Sequence, residues 1–100
     1  MTLNELRYIV AVAQEKSFGR AAAKCFVSQP ALSVAIQKLE EELGTQLFER
    51  GKSEVSVTPV GARVVEQAQL VLEEAARIRE LARAGRNQLV GSLKLGVIYT

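Results

Sequence analysis

One hundred residues, 48% apolar and 24% charged, suit one ordinary globular domain, too short to hold both a core and a roomy substrate domain. The net charge is +2, but residues 1–58 carry seven Lys/Arg against seven Asp/Glu, so bulk charge makes no case for nucleic acid. A single cysteine excludes an internal disulfide and the lack of histidine excludes the usual zinc sets, so no metal and no cofactor are expected.

Thr2-Leu3-Asn4-Glu5 has the form of a capping box, and Leu3, Leu6, Ile9, Val10 and Ala13 then predict one apolar stripe on a first helix ending near Lys16. Ser17 reads as the cap of a short second helix, in which Ala21, Ala22 and Ala23 let another helix cross closely. Val27-Ser28-Gln29-Pro30 is the strongest start signal of the chain, because Ser28 can cap and proline tolerates the first turn. The third helix places Leu32, Ile36, Leu39 and Leu43 inward and stops at Gly44. Only Phe26 to Ser28 are expected between helices two and three.

Leu47 to Arg50 and Val55 to Thr58, around Gly51-Lys52-Ser53-Glu54, read as the two arms of a β-hairpin wing. Thr58-Pro59 then heads a long helix to about Gly85, roughly 40 Å at 1.5 Å per residue. Val64, Ala68, Val71, Ala75 and Ile78 form a heptad seam within it, the expected dimerisation face, and Val65, Leu72 and Leu81 broaden it. Gly85 to Gly91 reads as a linker and Ser92 to Tyr99 as a strand opening something new, with any effector domain beyond Thr100. The expected organisation is a mainly α winged helix-turn-helix over 1–58, a dimerisation linker helix over 59–85, and a hinge with a first strand over 86–100. No apolar stretch approaches the about 18 residues of a membrane span, acidic Glu5 speaks against a signal peptide, and the reading is cytoplasmic.

Two short helices joined by a tight turn, the second with its apolar face inward, form a helix-turn-helix, and the outward face decides its use. That arc holds Pro30, Ser33, Val34, Gln37 and Lys38, with Ser28 and Gln29 at its leading end, and from Ser28 to Lys38 it contains no acid. Gln29 and Gln37 can pair with adenine edges, while Pro30 or Val34 can touch a thymine methyl. Periodicity alone leaves a second reading open, a coiled-helix dimerisation or adaptor module that binds no DNA. An enzyme would need a nucleophile with its base or paired carboxylates in a cleft, and none is visible. Gly51-Lys52-Ser53 is no phosphate loop, because Gln46 stands where that motif needs glycine.

Ser17-Phe18, Ala21-Ala22, Val27-Ser28-Gln29-Pro30-Ala31-Leu32-Ser33, Ile36, Leu39-Glu40, Leu43-Gly44, Leu47-Phe48-Glu49-Arg50 and Thr58-Pro59-Val60-Gly61 together resemble the N-terminal domain of LysR-type transcription regulators. The resemblance implies double-stranded promoter DNA as partner, a homodimer through the linker helix, a tetramer in a longer protein, and a following regulatory domain. Leu3 to Ala13, Leu32 to Ile36 and Gly96 to Thr100 look most similar to the hydrogen-peroxide-sensing branch. It also implies that Arg50 contacts the DNA backbone. Such regulators often carry a further arginine where Ser53 stands here, and Lys52 is the expected substitute. Cys25 falls where relatives carry leucine, on the inner side of helix two, and is expected to act as a small core hydrophobe; the sensing cysteines are implied beyond Thr100. Glu40, Glu41 and Glu42, at the disfavoured end of the helix dipole, are expected to face solvent or a partner.

Overall fold

The structure is a computed structural model that describes the backbone of residues 1–51 and 53–92, with side chains as far as Arg86. Its elements are α1 (Leu3–Glu15), α2 (Phe18–Lys24), α3 (Gln29–Leu43), β1 (Phe48–Arg50), β2 (Val55–Val57) and α4 (Pro59–Ser92). This is the expected winged helix-turn-helix followed by a long helix. Lys52 and residues 93–100 lie outside the described residues, and with them all of the expected strand but Ser92, which ends α4.

Local chemistry sets the helix starts. Thr2 Oγ1 accepts from the Glu5 amide at 3.1 Å and the Glu5 carboxylate accepts from the Thr2 amide at 2.8 Å, which completes the capping box. Ser17 and Ser28 cap α2 and α3 by accepting from the amides of Arg20 and Ala31. At the far end of α3, Gly44 at φ +70° lets the Thr45 amide return to the Glu40 carbonyl, which satisfies a carbonyl the helix would otherwise orphan. The same closure ends α2, with the Val27 amide on the Ala22 carbonyl, but its left-handed residue is Phe26 at φ +60°. The turn therefore takes Cys25 to Ser28, one residue more than expected, because Cys25 caps the helix and does not extend it.

Leu6, Ile9, Val12, Leu32, Leu39 and Leu47 form the centre of the core, where α1 is covered by α2, α3 and the first half of α4. This cover on several sides explains two departures from the expected stripe. Ala11 and Val12 are buried as well, and Leu3 lies exposed beyond the cover. Leu43, expected inside, sits at the rim at 39% exposure, since the chain turns away at Gly44.

The wing pairs antiparallel, Phe48 with Val57, Glu49 with Ser56 and Arg50 with Val55. It is tied to the body where the Val55 amide donates to the carbonyl of Lys16 at 3.2 Å. Thr58 Oγ1 accepts from the Gly61 amide at 2.9 Å and donates to the Gln46 carbonyl at 2.8 Å, so one hydroxyl caps α4 and anchors it to the wing root. A Cβ on Gly61 would overlap the Leu47 carbonyl, and glycine is what allows α4 to cross there.

Helix α4 runs 34 residues, about 51 Å, through Gly85 to Ser92, which corrects the expected end at Gly85 and the linker after it. An interior glycine costs a helix only about 1 kcal/mol, too little to stop one. The seam is divided as well. Ala68 is 3% exposed against the chain's own core, with Val64 and Leu72 half-buried there, so the expected dimerisation residue Ala68 is already occupied. Val71 and Ile78 are exposed and Ala75 is half-buried.

Candidate nucleic-acid interface

The residues of α3 expected to meet DNA lie along its outward face. Gln29, Pro30, Val34, Gln37 and Lys38 are exposed along α3, Ser33 is half-buried among them, and Ser28 caps the leading end. The wing lies beside this face, since a hollow of about 490 Å³ between α3 and β1 is lined by Ser33, Gln37, Gln46 and Arg50 above Phe18 and Phe48. A second hollow of about 410 Å³, between the start of α2 and the wing, is lined by Lys16, Phe18, Arg20, Gln29 and Arg50, with Glu54 as its one carboxylate among the described residues. Arg50 belongs to both hollows, so the wing arginine and the head of the recognition helix share one concave surface.

Gln29 leans toward α2, and a Cβ on Gly19 would lie 3.4 Å from its Oε1. The Arg50 guanidinium lies over the Phe18 ring, 4.3 Å from its centroid. Phe18 is in turn held edge-to-face against Phe48, with centroids 6.2 Å apart and planes at 76°. Among the described residues no carboxylate pairs with Arg50 and its guanidinium makes no hydrogen bond, which leaves five donors for an outside acceptor. Arg20 is more committed, donating to the Glu15 carbonyl at 2.6 Å and pairing with the Glu15 carboxylate at 3.7 Å.

Sequence reasoning missed several of these neighbours. Glu40 does not face solvent or a partner as expected: it is half-buried, and its Oε2 accepts from the amides of Leu47 at 2.7 Å and Phe48 at 3.3 Å. The β1 entrance brings two amides to the end of α3, and the Glu40 carboxylate accepts from both at the edge of the hollow it helps to line. Glu42 binds the Met1 ammonium at 2.9 and 3.1 Å, while Glu41 is exposed. Lys16, Gly19, Arg20 and Gln46 were not singled out either, because only the folded turn brings α2 to the wing. One signal was available: Phe48 and Arg50 are two apart on a strand, hence on one face, and an aromatic start of α2 could meet them.

Cys25 caps the C-terminal end of α2 and is half-buried there, packed against the edge of the core. It lines a hollow of about 500 Å³ on the α1–α4 side with Tyr8, Val10, Val27 and Leu72. Burial pushes its thiol up, against the opposing pull of Lys24 and Arg7. No group of residues that could hold a metal occurs among the described residues, and no described helix is long and apolar enough to cross a membrane.

Residues 3–62 match the family described as bacterial regulatory helix-turn-helix protein, lysR family. The whole chain is 44% identical to a hydrogen peroxide-inducible genes activator of Pectobacterium carotovorum and covers 33% of it. The structure matches full-length OxyR C199D from Pseudomonas aeruginosa with a TM-score of 0.84 at 66% identity, over 89% of this chain and 30% of that one. It matches the DNA-binding domain of BenM, in a complex with benA site 1 DNA, with a TM-score of 0.80 at 44% identity, over 84% of this chain and 94% of that one. The chain thus spans about a third of the length of the activator and of full-length OxyR.

Proposed function

The chain belongs to the LysR family of bacterial helix-turn-helix regulators, and we propose that it is the promoter-reading segment of a cytoplasmic transcription activator that responds to hydrogen peroxide. The observation that carries this is the shared concave surface, onto which open both the exposed arc of α3 and an Arg50 that pairs with no carboxylate among the described residues. α3 enters the major groove, with Gln29, Ser33 and Gln37 reading base edges and Pro30 and Val34 offering apolar contact. Ser28, Lys38 and Arg50, with Lys52 of the wing, take the backbone. The work is recognition and not turnover. Two chains pair through the outer part of α4, where Val71, Ala75 and Ile78 seek a partner, and the full-length protein assembles to a tetramer. The peroxide chemistry resides in the rest of that longer protein and not in Cys25, whose raised thiol holds little thiolate at neutral pH.

Titration of a duplex selected from a random pool, and of a scrambled duplex, at several salt concentrations tests the reading. Gln29→Ala weakens the selected site by about 1 to 3 kcal/mol and spares the scrambled one. Arg50→Ala weakens both and lowers the slope of log affinity against log salt by about one. A chain that dimerises but binds neither duplex is the adaptor module instead. Peroxide leaves binding by the chain unchanged, and a loss spared by Cys25→Ala would put the sensor here.

A further inference from the structure

The Arg50 guanidinium is held by a ring and by nothing else among the described residues. An arginine held by a carboxylate surrenders both its charge and its donors to the partner, whereas one held over an aromatic face keeps its donors and is still restrained. Phe18 suits such a support. It is 7% exposed, it opens α2 directly after the Ser17 cap, and the edge-to-face contact with Phe48 fixes its plane. Glu40 in turn holds the β1 entrance through the amides of Leu47 and Phe48, so Phe48 cannot drift from α3.

We propose that Phe18 is the positioning residue of the wing: from the floor of the hollow shared with α3, where it is only 7% exposed, its ring aims the Arg50 guanidinium outward. The proposal deepens the DNA-binding reading and rests on it. Ordering a long cationic side chain on binding costs affinity, and a ring that orders it beforehand recovers part of that loss. The sequence logic is simple. Phe48 and Arg50 share one face of β1, and the first residue of α2 supplies the aromatic surface beneath both.

A double-mutant cycle tests it, with the intact chain and the selected duplex. Phe18→Leu weakens binding about fivefold when Arg50 is present and less than about twofold in the Arg50→Ala background, because the cation–π contact exists only in the former. Replacing Phe18 with pentafluorophenylalanine keeps a flat ring, somewhat larger, and reverses its quadrupole, so it reproduces the loss even if Phe18→Leu fails to fold. In the DNA-free chain, NMR shows the Arg50 side-chain protons shifted upfield by the ring current and released in Phe18→Leu. Equal losses in both Arg50 backgrounds, or pentafluorophenylalanine binding as well as phenylalanine, overturn the proposal while leaving the DNA reading intact. A wild-type chain that keeps the ring-current shift yet binds neither duplex overturns the DNA reading and the positioning role with it.

Discussion

The body and the outer part of α4 treat apolar surface in opposite ways. From Leu6 to Ala68, the large inward residues find partners in their own chain, and Ile9, Val12, Leu32, Leu39 and Leu47 are all sealed. Further along the same helix Ile78 is 67% and Leu81 64% exposed. A heptad seam therefore marks a face for burial without stating against what: its inner turns are spent on the body and its outer turns stay exposed.

The largest effect sharpens this division. Val71→Asp together with Ile78→Asp puts a charge twice into the outer seam, and should raise the dimer dissociation constant at least about 100-fold, since an unpaired buried charge costs several kcal/mol. Sedimentation would read monomers with the body still folded; an unchanged dimer would move the interface elsewhere.

In that monomeric background, truncation should separate the two regions by stability alone. Leu39→Ala empties a sealed site and should cost about 2 to 5 kcal/mol in denaturant unfolding, whereas Leu81→Ala should change stability by less than about 0.5 kcal/mol. Comparable losses would mean that the outer helix packs on its own body after all.

Two glycines of α4 give the smallest contrast and reverse its sign. Gly61→Ala drives a methyl into the Leu47 carbonyl and should destabilise by about 1 to 3 kcal/mol. A Cβ at Gly85 would meet nothing within 4 Å, so Gly85→Ala should stabilise the helix by about 0.5 to 1 kcal/mol, seen as higher ellipticity and a higher Tm. A stabilising Gly61→Ala would refute the close crossing.

The expected interface was legible in part. The exposed residues of α3 follow from the inward spacing of Leu32, Ile36 and Leu39, since a helix with one face buried has only one face to offer. Glu40 was misread because the dipole rule concerns its own helix, while its two partners arrive from the strand that follows. Cys25 was placed on α2 because nothing in the sequence marks Phe26 as left-handed, where glycine would have marked the turn.

The sequence by itself determined the caps at Thr2, Ser17, Ser28 and Thr58, the stop at Gly44, the wing and its alternation, because each depends on groups a few residues apart whose hydrogen bonds and dihedral preferences are local. Tertiary structure alone decided that Ala68 belongs to the body, that Glu40 holds the wing, that Gly61 must lack a side chain and that Phe18 carries Arg50. Those outcomes depend on which surfaces meet when α4 and the wing cross the three-helix core, and periodicity can mark a face for burial without naming what will cover it.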